Sequence, residues 1–513
     1  MRVHSKLLWL LFTVFFVGCH KEKPNFPFQN LTLSQFDSLR IEDYQFNESK
    51  IREYIDSFRL ANRDTAYIDY KVNSYYAKRG PYLWIDKMGL DNRCDSLIPK
   101  LIGTSSTGLR SQMFYTLLLQ ENIERLRTLD FSKRNNVNAV MARLEYYLTK
   151  AYMRYANGQR FGFINPGKLF NFMDLIDPED SLSTHYRVLY DIKQETANQD
   201  FFNTAINSLS NGRYAEFLNE IEPTDSLYYR FVRELQRPNL TKEQKERLTV
   251  SIERSRWRIK HEQYDKYIQV NIPSFMLYAF DKKENTVLSM RICCGSRKHK
   301  TPLLNSNIQR LELNPKWTVP QSIIKKEIAL KHAGDPDYFE RNRMIIISRT
   351  TKEEISPEYV TPDMLKSGQY IVQQEQGEGN SLGRLIFRFP NNFAIYMHDT
   401  PNKDAFNSTW RGVSHGCIRL EKPLDLAIFL LDEKDPVLTD RFRVAIDLPA
   451  LTAEGKALTG KDGYKNIGLR TYKPEIPLFI NYFTAYPNLS GTMEYFPDVY
   501  GYDAAIIKRL KTY

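Results

Sequence analysis

Hydrophobic positions in the first half of the chain recur at the period of a helix. Ile51, Tyr54, Ile55 and Phe58 stand at i, i+3, i+4 and i+7. Val140, Leu144, Tyr147, Leu148, Ala151 and Tyr155 carry the same pattern over several turns, and Asn157-Gly158 predicts its end. Alternation is scarce from about residue 36 to 245, so this half predicts a helical domain whose aromatics, Tyr75, Tyr76, Tyr82 and Trp84 among them, read as core. From Tyr264 the period becomes two. Ile268, Val270 and Ile272 alternate with Gln269 and Asn271. The run Phe275 to Phe280 meets a polar turn at Asp281 to Asn285, and Val287 to Cys294 returns as a strand. Arg343 to Ser348, Arg384 to Phe389 and Phe393 to His398 read as further strands, and Pro423 with the run Leu424 to Leu431 as a helix. Helices followed by a β-rich half predict an α+β fold.

Length adds that 513 residues exceed one ordinary core and suggest two to four domains. The 42% hydrophobic content is that of a globular protein, and 72 basic against 61 acidic residues give a net charge of +11. No Lys/Arg-rich run with interleaved aromatics accompanies that charge, so no nucleic-acid partner is expected and diffuse surface charge is the default reading. At the N-terminus Arg2 and Lys6 precede an apolar run, Leu7 to Val17, broken only by Thr13. It is too short to span a bilayer and suits a signal peptide. The run ends in Phe16-Val17-Gly18-Cys19, which looks like a bacterial lipobox with Cys19 as the lipidated residue. The expected placement is therefore periplasmic, tethered to an envelope membrane through Cys19. Of the remaining cysteines, Cys293 and Cys294 are adjacent at a strand end and read as packing residues, with Cys94 outside any even-numbered framework.

Candidate chemistry concentrates near the C-terminus, in Ser414-His415-Gly416-Cys417-Ile418-Arg419, with His398 upstream in Tyr396-Met397-His398-Asp399. A free thiol is mostly protonated at neutral pH, so a nucleophilic Cys417 needs a base or cation beside it, which His398 or His415 could supply. Gly416 lets the backbone approach a substrate carbonyl and turn N–H groups toward an oxyanion. Taken separately, the same residues also read as a buried cysteine with structural histidines, or as three zinc ligands lacking a fourth.

His398, a fifteen-residue gap and Ser-His-Gly-Cys-Ile-Arg resemble the signature of the L,D-transpeptidases, the YkuD-type catalytic domain. The stretches Tyr267 to Phe280, Asn314 to Ser322, Asp335 to Tyr338, Asn380 to Gly383, Phe389 to Pro401 and Ile476 to Asp503 look like the large periplasmic YcbB-type branch. The resemblance covers roughly residues 30–513 and is strongest after about 250. The N-terminal pattern gives a lipoprotein signal peptide over 1–18 and a lipid anchor and spacer over 19–35, and the resemblance implies a helical scaffold domain over 36–250. A catalytic domain follows over 264–445, with a capping insertion at about 321–380, and a C-terminal extension over 446–513 packs on it. The peptidoglycan-binding module of larger relatives has no room here, because Pro238 leads within about ten residues to the helix containing Arg254 and Trp257.

By resemblance Cys417 is the nucleophile and His398 its base, oriented by a backbone carbonyl such as that of Asp399. His415, Gly416 and Cys417 supply oxyanion N–H groups, Ser414 supports the loop, and Arg419 and Tyr396 contact substrate. The implied reaction is 3→3 cross-linking of peptidoglycan tetrapeptide stems through a cysteine thioester with release of D-alanine. No metal or organic cofactor is implied. The scaffold leaves room for cell-wall synthesis proteins as partners. Carboxypeptidase action on the same stems, transfer to a wall-attached protein, and a non-catalytic tethered scaffold stand as alternatives. A penicillin-type serine enzyme would use Ser322-Ile323-Ile324-Lys325 and Lys366-Ser367-Gly368, but no Ser-x-Asn lies between them.

Overall fold

The computed structural model describes residues 42–176, 186–258, 263–335, 337–431, 435–460 and 469–511. Cys19 and the leader lie outside the described residues. The chain divides into two compact units. One comprises the described residues up to Ile102 together with Gln112–Met153, and the other Gly103–Ser111 with everything from Arg154 onward.

The first unit is helical. Glu48–Ala61 is capped by Asn47, whose side chain accepts from the Lys50 N–H, and it buries Ile51 and Ile55. Tyr67–Ala77, Cys94–Gly103 and Thr116–Thr128 follow, with Val72, Leu97 and Leu119 fully buried. The helix beginning at Val137 runs to Phe161, past the Asn157-Gly158 expected to end it. Gly158 is there for packing: a Cβ would lie 2.0 Å from the Phe163 ring, and the helix stops instead before Gly162 at φ +88°. Glu145 on this helix is completely buried and accepts four hydrogen bonds. Its Oε1 takes the Leu83 N–H at 2.7 Å and the Tyr76 hydroxyl at 2.6 Å, and its Oε2 takes the N–H groups of Trp84 and Ile85 at 2.9 and 3.2 Å. Glu145→Ala leaves three backbone donors without acceptors, so unfolding by denaturant should shift by about 3 kcal/mol or more, given roughly 1–3 kcal/mol per orphaned group. Glu145→Gln, which keeps one acceptor oxygen, should lose less. Equal losses in the two variants would contradict this account.

The second unit is built on a ten-stranded mixed sheet that closes on itself. Its order runs Leu385–Arg388, Met397–His398, Ile418–Leu420, Thr286–Gly295, Met276–Asp281, Lys266–Asn271, Leu469–Asn481, Leu303–Leu313, and the last of these pairs back with Leu385–Arg388. Tyr190–Asp191 and Gly412–Ser414 pair alongside Leu303–Leu313 and Thr286–Gly295. Closure removes free sheet edges. Residues 446–513, expected as an extension packed on the domain, supply a barrel strand. Leu469–Asn481 lies between Lys266–Asn271, in parallel, and Leu303–Leu313, antiparallel.

The alternating strand near residue 268 is buried on both faces. Gln269 and Asn271 are 0% exposed, although alternation puts polar residues outward. The C-terminal segment meets them: Gln269 donates to the Tyr486 hydroxyl at 2.7 Å while its Oε1 stays without a partner among the described residues, and Asn271 exchanges hydrogen bonds with the backbone of Phe483. Phe393 to His398 is extended only at Met397–His398, because the Asn391 side chain ties up the backbone of Phe393 and Ile395. Cys293 and Cys294 are fully buried free thiols. The segment from Trp317 to Gln374 forms its own small fold. Four antiparallel strands, Glu354–Ile355, Met344–Ser348, Tyr370–Gln374 and Trp317–Thr318, cover a separate core containing Ile324, Ile328, Phe339, Ile346, Leu365 and Val372. Ser322 and Lys325 sit on its short helical turns.

Candidate active site

Cys417 ends a tight loop between the strands Gly412–Ser414 and Ile418–Leu420. Ile418–Leu420 runs parallel to Met397–His398, pairing Met397 with Ile418 and His398 with Arg419. Continuing that register by one residue sets Tyr396 beside Cys417, and the Ile418 N–H donates to the Tyr396 carbonyl at 3.0 Å. Paired residues of parallel strands point to the same side, and successive residues alternate. Tyr396, His398, Cys417 and Arg419 therefore share one face, while Met397, Ile418 and Leu420 are fully buried behind them. The site was legible as residue types; the parallel pairing that unites them was not.

The loop is held by side chains on both sides. Ser414 Oγ accepts the Gly416 N–H at 3.1 Å and donates to the Cys417 carbonyl at 2.6 Å. Gly416 has φ +119°, a conformation other residues rarely adopt. Its carbonyl accepts from Thr301 Oγ1 at 2.8 Å, and the Thr301 N–H donates to the Tyr500 hydroxyl at 3.1 Å. Neither Thr301 nor Tyr500 carries a sequence signal for this role. Because Ser414 takes the Gly416 N–H, the expected oxyanion trio reduces to His415 and Cys417, whose N–H groups have no partner among the described residues. Ser414→Ala removes two hydrogen bonds from the loop. It should lower kcat/KM roughly ten- to a hundredfold, the equivalent of about 1.4–2.8 kcal/mol, while circular dichroism stays native. A change in KM with an unaltered kcat would point to a binding role instead.

His398 is 4% exposed, and its Nδ1 lies 2.5 Å from the Asp399 carbonyl oxygen. With Nδ1–H donating there, Nε2 carries the lone pair. The Asp399 carboxylate is committed elsewhere, to the Arg384 N–H at 2.9 Å and to Lys403. It is the carbonyl, not the carboxylate, that orients the imidazole. Burial, reinforced by the Arg419 cation, lowers the His398 pKa to about 4, with the backbone of Asp399 and Leu382 acting in the opposite direction. Burial likewise pushes the Cys417 thiol up to about 11, against the Tyr396 backbone hydrogen bond and the cations of Arg419 and Arg388. The resting pair is thus a neutral thiol and a neutral imidazole. The helix Pro423–Phe429 begins three residues after Leu420.

Two contacts join the small inserted fold to this face. The Trp317 side chain lies near the Tyr396 hydroxyl, and Glu327 Oε1 meets His415 Nε2 at 2.5 Å. His415 also stacks near His299, with ring centroids 4.6 Å apart, and so faces the loop's flank and not the thiol's strand. Arg388, which sequence reasoning missed, lies over the Tyr396 ring at 5.4 Å and pairs with Glu312 at 2.8 Å. Arg419 Nε is buried with no hydrogen-bond partner among the described residues. A buried guanidinium nitrogen with an unfilled donor beside a thiol is suited to an anionic ligand group.

Residues 265–439 match the YkuD family model, the L,D-transpeptidase catalytic domain, and residues 70–235 match a scaffold domain. Two segments of the chain thus match, in order, a scaffold domain and the catalytic domain of L,D-transpeptidases. A Haemophilus influenzae protein named "Putative L,D-transpeptidase" is 26% identical over 324 residues, and the match spans 62% of this chain and 62% of that relative's length. Among solved structures, the Ldtfm-avibactam carbamoyl enzyme is similar at 11% identity and a TM-score of 0.17, covering 42% of this chain and 49% of its own. An L,D-transpeptidase from Mycobacterium smegmatis is similar at 12% identity and a TM-score of 0.19, covering 42% and 58%. The α+β architecture, with a helical region ahead of a β-rich catalytic domain, agrees with the order of the two family matches.

Proposed function

We propose that this chain is a peptidoglycan L,D-transpeptidase of the YcbB-type branch that forms 3→3 cross-links through a thioester on Cys417. The single observation carrying this reading is the parallel pairing that puts His398, Cys417, Tyr396 and Arg419 on one face beside a strained loop with two free N–H groups. His398 Nε2 takes the thiol proton as sulfur attacks the carbonyl between the third stem residue and the terminal D-alanine. The C–N bond breaks, the imidazolium returns the proton to the departing amine, and a thioester remains. The N–H groups of His415 and Cys417 face the developing oxyanion. The side-chain amine of a second stem then attacks the thioester and restores the thiol. Arg419 and Tyr396 hold the donor stem, Arg419 through a carboxylate.

The inserted fold acts as the capping segment. Its contacts through Trp317 and Glu327 bring it against the reacting face, where excluding water favours an amine acceptor over hydrolysis. Tethering at Cys19 would keep the enzyme in the periplasm near its polymer, and the scaffold domain would be the docking point for cell-wall synthesis proteins. The test incubates residues 20–513 with purified disaccharide-tetrapeptide beside the Cys417→Ala variant and analyses products by mass spectrometry. A cysteine-dependent dimer that has lost one D-alanine is the expected product. Tripeptide monomer alone would replace this reading with carboxypeptidase action, and no change in either sample would replace it with a non-catalytic scaffold.

A further inference from the structure

The face that holds Cys417 and His398 continues onto two further strands of the closed sheet. Leu385–Arg388 runs antiparallel to Met397–His398, and Ile386 stands opposite His398. Continuing that register sets Arg388 beside Tyr396, and the Arg388 guanidinium lies 5.4 Å from the centre of the Tyr396 ring. On the next strand, Leu303–Leu313, Arg310 stands opposite Arg388 and Glu312 opposite Ile386. Directly opposed residues share one face of a sheet. Cys417, Tyr396, Arg388 and Arg310 therefore form a row across it, with Glu312 alongside, while Phe387 and Leu311 are fully buried behind. Neighbouring strands lie about 4.8 Å apart, so the backbone of Arg388 is roughly 10 Å from that of Cys417.

The far end of this row carries two cations and one carboxylate. Arg388 Nε and Arg310 Nε approach the same oxygen, Glu312 Oε1, at 2.8 and 3.2 Å. An arginine kept only to pair with a carboxylate does so best fork to fork, through two parallel hydrogen bonds. Here the contact runs through Nε and one oxygen. Among the described residues neither terminal nitrogen of Arg388 donates a hydrogen bond, and Glu312 Oε2 accepts none. The two side chains are 35% and 20% exposed, so a ligand can reach both. A bare anion at this point would meet Glu312, and a bare cation would meet two guanidinium groups. A group bearing a carboxylate and an ammonium on one carbon answers both charges.

On the transferase reading proposed above, we propose that Arg388 and Glu312 select a donor stem whose third residue ends its side chain in an amino acid group, as diaminopimelate does. The distal carboxylate lies on the Arg388 guanidinium and the distal ammonium on Glu312. Six carbon–carbon bonds, about 7 Å when extended, separate that carboxylate from the carbonyl under attack. The Arg388 side chain, lying over Tyr396, covers the remaining distance.

The test measures binding of synthetic tetrapeptides to the Cys417→Ala protein by titration calorimetry, which does not require that the thiol react. The peptides differ only in the third residue: diaminopimelate, lysine, which lacks the distal carboxylate, or α-aminopimelate, which lacks the distal amine. The lysine and α-aminopimelate peptides should each bind roughly tenfold more weakly or worse, because each leaves one charged group of the site unanswered. Adding Arg388→Met should erase the difference between diaminopimelate and lysine and leave the affinity for the lysine peptide unchanged. Adding Glu312→Gln should erase the difference between diaminopimelate and α-aminopimelate. Equal affinity for all three peptides would overturn the proposal. So would an equal loss for the diaminopimelate and lysine peptides in Arg388→Met, which would put Arg388 on a carboxylate common to both. In the enzyme with its thiol intact, loss of dimer in Arg388→Met with acyl-enzyme formation unchanged would overturn it in favour of an acceptor contact. The expected binding preferences, found together with no release of D-alanine by the intact enzyme, would uphold this subsite and sink the transferase reading.

Discussion

Cys417→Ala should abolish release of D-alanine from tetrapeptide stems, a loss of roughly 10⁴-fold or more, with the fold intact. The substitution removes one sulfur atom from a half-buried position, and the hydrogen bonds that shape the loop use the Ser414 side chain and the Cys417 backbone, which alanine keeps. Among the described residues the other thiols, Cys94, Cys293 and Cys294, are all buried. Cys293 and Cys294 are fully buried, and burial pushes the Cys294 thiol up to about 12. The measurement pairs a D-alanine release assay with intact-protein mass spectrometry, in which wild type should gain the mass of the acyl group and the variant should not. Turnover persisting within tenfold of wild type would remove Cys417 from the chemistry.

His398→Ala should lower kcat/KM by roughly 10²–10⁴-fold and also change the shape of the pH profile. The sign follows from the two neutral partners. His398 titrates near 4, so the base is present above that pH and is lost as pH falls through it. The thiol stays protonated up to about 11, so it has a proton to give His398 across the neutral range. Wild-type kcat/KM should therefore be nearly flat from about pH 5 to 10 and fall on the acid side. Without the imidazole only the thiolate fraction reacts, and that fraction grows about tenfold per pH unit below the thiol's pKa. The variant's residual rate should climb steeply with pH toward 11. A flat variant profile would show that His398 is not the base.

Local signals on the chain were read well where one interaction decides the outcome. The repeat Ile51, Tyr54, Ile55, Phe58 predicts the helix Glu48–Ala61 because only its apolar stripe is buried. Gly158 misled because a helix-interior glycine and a helix-ending one look alike until Phe163 is seen across from it. Gln269 and Asn271 misled for a related reason: the segment that covers them, around Phe483 and Tyr486, comes more than two hundred residues later. At the site, the residue types of the motif were plain. What sequence could not supply was the commitment of the Gly416 N–H to Ser414, the brace from Thr301 and Tyr500, and the presence of Arg388, all set by tertiary pairing.

The strand Leu469–Asn481 also fixes when in the life of the molecule its chemistry can begin. Leu478 pairs with Ile268, so the barrel cannot close until the strand ending at Asn481 has left the ribosome. Until then the half-made sheet has an open edge on each side of the gap, one of them along Lys266–Asn271. A nascent or C-terminally clipped chain would hold Cys417 and His398 on an unfinished scaffold. Reactivity is therefore withheld until the strand Leu469–Asn481 has been made, a timing written into strand order.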